Sequence, residues 1–337
     1  MQTMTEGDSK IGVLIANLGT PDATDYWSVR RYLNEFLSDK RVIDYPAWLW
    51  QPLLQLIILS RRPYATGANY KLIWDKERDE SPLRTITRDQ TDAIRALIQE
   101  QFGDRVLVDF CMRYGNPSTP DKLKEMVDAG CDRIVFFPLY PQFSTATTAT
   151  ANDKLFEAAQ KMFKQPAIRT VEPYFHQPDY IASLANSIRE GIAASGTEPD
   201  LLVCTYHGMP ERYIRMGDPY RSQCMETSRL LLAELGWEED RLITTFQSRF
   251  GPEEWLKPYT VEHVAELAKA GKKNIAICSP AFSADCIETL EEINGEICEA
   301  FEHAGGEVFT YIPCLNARPD HVAVLTRMIK NSLEGWA

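Results

Sequence analysis

The chain has 337 residues, enough for two domains that each bury a core, and its apolar fraction of 44% is that of a globular rather than a disordered protein. Its 36 basic and 48 acidic residues give a net charge of −12, which repels nucleic-acid phosphates wherever positive charge is not clustered, so no nucleic-acid partner is expected. Eight cysteines (Cys111, Cys131, Cys204, Cys224, Cys278, Cys286, Cys298 and Cys314) form no C-x-x-C pair, which fits thiols in a reducing compartment better than a disulfide framework.

Met1 to Lys10 are polar and lack the apolar core of an export signal, so a cytoplasmic protein is expected. A β-branched run at 11–17 follows, and then the most apolar stretch of the chain, Tyr45 to Leu59, with 11 of its 15 positions apolar. Pro46, Gln51, Pro52 and Gln55 interrupt it, and a spanning helix needs roughly 20 apolar residues, so it should lie on a membrane rather than cross one. A helical pattern at 83–102 precedes short apolar runs at 105–111, 133–138 and 201–206. Helix 220–235, runs at 241–246 and 274–278, helix 287–303, a run at 307–312 and helix 321–333 complete the series. Such alternation predicts βαβ units around parallel sheets.

An internal repeat sharpens this reading. IANLGTP (Ile15 to Pro21) recurs as CTYHGMP (Cys204 to Pro210), FCMRYGNP (Phe110 to Pro117) as FQSRFGP (Phe246 to Pro252), and IVFFPLYPQFS (Ile134 to Ser144) as IAICSPAFS (Ile275 to Ser283). Three matched strand ends in one order predict two similar α/β halves. Gly19 and Arg113 are 94 positions apart and Gly208 and Arg249 only 41, so the first half carries 53 extra residues, which include Tyr45 to Leu59 and the pair Arg61 and Arg62. Ligands in open α/β sheets bind beyond the carboxyl ends of the strands, where all three motifs fall, so the insertion should border the site.

No G-x-G-x-x-G, Walker A or H-E-x-x-H pattern is present, which disfavours dinucleotide, nucleotide triphosphate and zincin chemistry. His207 ends an apolar strand just before Gly208, a place that aims a side chain toward a ligand, although a lone histidine is as often structural. His176, His263, His303 and His321 read as packing or surface residues. Glu288, Glu292 and Glu296 stand at i, i+4 and i+8 on one helix face. A solvated acidic face is the ordinary explanation, but this helix starts directly after a repeated strand-end motif, SPAFSADC (Ser279 to Cys286), and its like charges repel unless a cation or protons neutralise them.

Taken together, NLGTP at 17–21, RYGNP at 113–117, PLYPQFS at 138–144, HGMP at 207–210, QSRFGPEEWLKP at 247–258 and DCIETLEE at 285–292 resemble the ferrochelatase family, in family order, from about Ile11 to Leu333. The resemblance implies an α/β protein of two flavodoxin-like domains whose parallel sheets face a central cleft. The expected division is residues 1–173 with 316–337, carrying an apolar lip near 40–80, and residues 174–315, carrying His207 and the acidic helix. It implies insertion of ferrous iron into protoporphyrin IX, the terminal step of haem synthesis, with His207 and Glu288 as the catalytic pair. Whether His207 ligates metal or abstracts protons stays open.

By the same resemblance, His207, Glu288, Glu292 and Glu296 form the metal track, and Leu18, Arg113, Tyr114, Trp255 and Phe282 line the porphyrin. Arg62 and Ser81 meet its propionates. Animal members carry a histidine where this chain has Cys286, and a cysteine-rich tail for an iron–sulphur cluster where this chain ends at Ala337; no cluster of that kind, and no cofactor beyond the iron substrate, is expected. Partners expected are protoporphyrin, ferrous iron, a membrane surface touched peripherally by the lip residues Trp48, Trp50, Leu53 and Leu54, and the enzyme that supplies the porphyrin. Competing readings are a chelatase for another metal or tetrapyrrole, a non-catalytic porphyrin carrier, which would not need the carboxylate row, and a metal-dependent hydrolase, disfavoured because only one histidine reaches a strand end.

Overall fold

The structure, a computed structural model, describes residues 9–337; the polar start up to residue 8, on which the expectation of a chain without an export signal rests, lies outside the described residues. The chain divides into two compact units, one of Met1–Leu139, Thr145–Glu172 and Ala317–Ala337, the other of Tyr140–Ser144 and Pro173–Asn316.

The sheet of the first unit contains β1 (Lys10–Thr20), β2 (Val106–Gly115), β3 (Cys131–Pro138) and β4 (Ala167–Thr170), all parallel, in the order β2-β1-β3-β4. That of the second contains β5 (Leu201–His207), β6 (Leu242–Gln247), β7 (Asn274–Cys278) and β8 (Val308–Tyr311), parallel in the order β6-β5-β7-β8. The two orders are the same, as the sequence repeat predicts, and give the flavodoxin-like arrangement that the resemblance implied. A central parallel strand is covered on both faces, which explains the unbroken apolar runs: Ile11, Val13, Leu14 and Ile15 have no exposed surface, nor have Leu202, Val203 and Cys204. Truncating such a residue to alanine costs about 2–5 kcal/mol. β4 went unread in the sequence because Ala167 to Thr170 is a short edge strand, partly exposed, with no apolar pattern.

Glycine is needed where these strands turn. Gly19 sits at φ +113°, and a Cβ there would come within 1.9 Å of the Tyr114 carbonyl oxygen on β2. At Gly208, just after β5, a Cβ would come within 2.7 Å of the Gln247 carbonyl oxygen on β6. The glycines of NLGTP and HGMP thus let each strand end lie against its neighbour's backbone, which brings the flanking side chains together.

Between β1 and β2 the first unit carries α1 (Tyr26–Leu37), α2 (Ala47–Leu53), a π-turn at Leu54–Ile58, α3 (Leu59–Ile73) and α4 (Pro82–Phe102). Asp25 caps α1 by accepting from the backbone N–H groups of Trp27 and Ser28. Pro52 inside α2 has no N–H for the ladder, and the chain passes into the wider π-turn without breaking. Here the expectation that Trp48, Trp50, Leu53 and Leu54 all face outward is corrected. Trp50 and Leu54 are buried with Val29, Leu33, Leu37, Leu59 and Tyr114, and the Trp50 indole N–H donates to the Leu37 carbonyl at 2.6 Å. The outward face is instead Trp48, Leu49, Leu53, Leu56 and Ile57, with Trp48 76% and Leu56 75% exposed. A helix anchored to a core must bury one side, so hydropathy alone could not sort the two faces.

The acidic segment also differs from a plain α-helix. It is a π-helix from Glu288 to Ile297 that continues as an α-helix over Cys298–His303. In an α-helix a four-residue step overshoots one turn by about 40°, and in the wider π winding it falls short by about 30°, so the i, i+4, i+8 carboxylates stay on one side of the segment in either winding.

Candidate active site

His207 is the last residue of β5, and its partner across the ladder is Gln247, the last residue of β6. The His207 Nδ1 lies 2.7 Å from the Gly208 carbonyl oxygen. A carbonyl only accepts, so Nδ1 carries the proton, and in the neutral imidazole Nε2 keeps a lone pair for a proton or a metal.

Gln247 is buried and extends the cluster. Its Oε1 accepts from the Thr205 hydroxyl at 3.0 Å, while its Nε2 donates to the Glu288 carbonyl at 2.8 Å and to the Glu292 carboxylate at 3.1 Å. Ser248, at φ +64°, adds its N–H at 2.8 Å and its hydroxyl at 2.5 Å to the same carboxylate. A non-glycine residue in the left-handed region is strained, and here that conformation lets two Ser248 donors converge on Glu292. Burial pushes the Glu292 carboxyl above its ordinary value, with the Glu288 charge adding to it, against the pull of Ser248, His207 and Gln247. Glu292 is thus within electrostatic reach of both His207 and Glu288.

Along the file, Glu288 and Glu292 are half-buried and Glu296 is exposed, so the carboxylates run from the His207 neighbourhood to solvent. Among the described residues no three His, Cys, Asp or Glu side chains gather as a cage for a metal ion; the arrangement is a row. The start of the acidic helix is fixed by Asp285, whose carboxylate accepts from Thr289 at 3.0 Å, Tyr311 at 2.5 Å, the Cys314 N–H at 3.1 Å and Asn316 at 2.6 Å. Cys286 is buried, and burial together with the Glu288 charge pushes its thiol well up, so it remains a neutral thiol.

The other sequence candidates separate by unit. In the second, Trp255 and Phe282 are half-buried. Trp255 pairs with Pro210, which brings its ring beside Gly208, and its buried indole N–H meets no acceptor. In the first unit, Leu18 is half-buried at the end of β1 and Arg62 is exposed on α3. Ser81 is buried as the N-cap of α4 and accepts from the Arg84 N–H. Arg113 and Tyr114 end β2; the Tyr114 side chain has no exposed surface, and the Arg113 guanidinium lies 4.2 Å from its ring centroid. Both bond to Asp39, Tyr114 at 2.8 Å and Arg113 through Nη2. Gln247, Ser248, Asp39 and Asp285 were not singled out in the sequence: all but Asp39 lie in a family motif, but a polar residue in a turn has no periodicity to betray its partners.

Parallel α/β units of this kind are shared with solved chelatases. SirB from Bacillus subtilis with Fe3+ superposes with a TM-score of 0.56 at 10% identity over 96% of both chains. CbiX, described as the terminal enzyme for biosynthesis of siroheme in denitrifying bacteria, gives 0.51 at 14% identity over 96% of this chain and all of that one. At such identities the likeness concerns fold alone, which defines the class as a parallel α/β protein with the fold of these structures. Sequence narrows it: the ferrochelatase family model matches residues 10–333. The ferrochelatase of Rhodobacter capsulatus is 65% identical over 97% of this chain and 93% of its own, and that of Rhizobium meliloti (strain 1021) 54% identical over 98% and 97%. The chain belongs to the ferrochelatase family, metal chelatases that insert iron into protoporphyrin to form haem.

Proposed function

We propose that His207 and Glu288 carry the chemistry of iron insertion, with Glu292 and Glu296 as the track by which the cation arrives or protons leave. Metalation must strip water from a divalent cation and remove two pyrrole protons. The Nε2 lone pair of His207 is the group suited to take a proton, and the file of oxygen ligands holds a hard cation loosely enough to release it. What supports this reading above all is the His207 Nδ1 contact to the Gly208 carbonyl, which sets the tautomer. Leu18, Trp255 and Phe282 offer apolar surface for the macrocycle, and Arg62 is the cation assigned to a propionate by family resemblance. In an anaerobic assay with protoporphyrin and ferrous iron, followed by loss of porphyrin fluorescence, the wild type should turn over. His207→Ala should bind porphyrin without turnover, and turnover near the wild-type rate in that variant would refute the assignment.

The outward face Trp48, Leu49, Leu53, Leu56 and Ile57 is proposed as the surface that rests on a membrane, from which a poorly soluble porphyrin is drawn. Tryptophan favours the interface, Arg61 and Arg62 follow the stretch to meet lipid phosphate, and no helix among the described residues is long and apolar enough to cross a bilayer. Replacing these five by serine should lower vesicle binding while detergent-solubilised porphyrin is still metalated. Unchanged vesicle binding would dismiss the lip.

A further inference from the structure

We propose that Asp39 is a positioning residue that holds the strand-end pair Arg113–Tyr114 and the base of the apolar lip in one arrangement; the catalytic half of this rests on the reading of Arg113 and Tyr114 as parts of the porphyrin site. Leu37, Ser38 and Asp39 follow one another at the end of α1. The Leu37 carbonyl accepts the Trp50 indole N–H at 2.6 Å, and the Ser38 hydroxyl accepts from the Gln51 amide at 3.2 Å, so these two hold the lip helix. Asp39 takes hold of the sheet. Its carboxylate receives Arg113 Nη2 and the Thr150 hydroxyl, together with the Tyr114 hydroxyl at 2.8 Å and the Arg41 N–H at 2.7 Å.

Thr150 closes a ring, because its oxygen also accepts from Arg113 Nε at 2.7 Å. The Asp39 and Arg113 side chains are only 8% and 10% exposed, so water competes little for these bonds. With Nε and Nη2 engaged and Nη1 at 3.8 Å from Glu35, the guanidinium does not present an open fork to a porphyrin carboxylate. Arg113 acts instead through the Tyr114 ring beneath it, and that ring belongs to the same buried cluster as Trp50 and Leu54 of the lip segment. One carboxylate thereby joins the lip to the end of β2.

The test is a double-mutant cycle with a second, non-kinetic readout. Asp39→Asn should lower kcat/KM for porphyrin about tenfold, with the change mainly in KM, yet have less than about a twofold effect in an Arg113→Ala background, because the two act as a unit. Amide hydrogen exchange over residues 47–59 should speed up in Asp39→Asn. Thr150→Val, which keeps both charges and serves if Asp39→Asn does not fold, should speed the same amides and lower kcat/KM in the same sense. Effects of Asp39→Asn and Arg113→Ala that multiply, or unchanged exchange over 47–59 in both Asp39→Asn and Thr150→Val, would overturn the proposal. Wild-type kinetics for Arg113→Ala would instead remove Arg113 from the porphyrin site, while the exchange data would still decide the joint.

Discussion

Gln247 stands directly across the ladder from His207, and its side-chain amide reaches 2.8 Å to the Glu288 carbonyl and 3.1 Å to the Glu292 carboxylate. The strand that presents the histidine is thereby tied, through its neighbour, to the helix that presents the carboxylates. The separation between His207 and the carboxylates is then set by side-chain hydrogen bonds as well as by the sheet.

Gln247→Leu is expected to lose about 1–3 kcal/mol of stability, since Thr205 and Glu292 lose a buried partner. Because the acidic helix is no longer pinned, kcat should fall about tenfold while porphyrin affinity, read by fluorescence quenching, stays within about twofold. Wild-type kcat in a folded Gln247→Leu protein would show that this tie is not needed.

The three glutamates should respond in order of burial. Glu288→Gln is expected to remove nearly all turnover. Glu292→Gln should also lose stability, because three donors from Gln247 and Ser248 converge on a carboxylate that glutamine only half replaces. Exposed Glu296→Gln should leave thermal stability within about 0.5 kcal/mol and raise the KM for iron a few-fold. Iron titrations of initial rate distinguish these outcomes from a merely solvated face, which would leave all three curves alike.

The two tryptophans of the lip should behave oppositely. Trp50→Ala empties a core position and removes the bond to the Leu37 carbonyl, so unfolding should be easier by about 3–5 kcal/mol. Trp48→Ser, at an exposed position, should change stability by no more than about 0.5 kcal/mol. Denaturant midpoints measure both; equal losses would mean that the two faces are assigned wrongly.

Asp39 should be visible in the acid limb of stability. Burial by itself would raise its carboxyl, but hydrogen bonds from Thr150, the Arg41 N–H and Tyr114, with the Arg113 charge, outweigh it and hold the group below its ordinary 3.8. A carboxyl depressed on folding contributes stability above its unfolded value, and that contribution is lost as pH falls through the folded value. The stability gap between wild type and Asp39→Asn should therefore be constant from about pH 5 to 8 and close below about pH 4. A gap that widens in acid would contradict this charge assignment.

The sequence by itself determined what depends on local pattern. Apolar β-branched runs between helical stretches located seven of the eight strands among the described residues, the repeat of NLGTP and HGMP showed two like-ordered sheets, and four-residue spacing put Glu288, Glu292 and Glu296 on one face. Glycine in each repeated turn follows from a close backbone approach that admits no Cβ, and so leaves a one-letter trace. Tertiary structure alone decided the rest, because those choices depend on residues far apart in the chain. Trp48 and Trp50 are alike in hydropathy, yet the Leu37 carbonyl and the α1 core bury one and leave the other to solvent. The strained turn at Ser248 and the grip of Asp39 on Arg113 and Thr150 satisfy polar groups across 44 to 111 positions of sequence, a distance over which composition and periodicity carry no information.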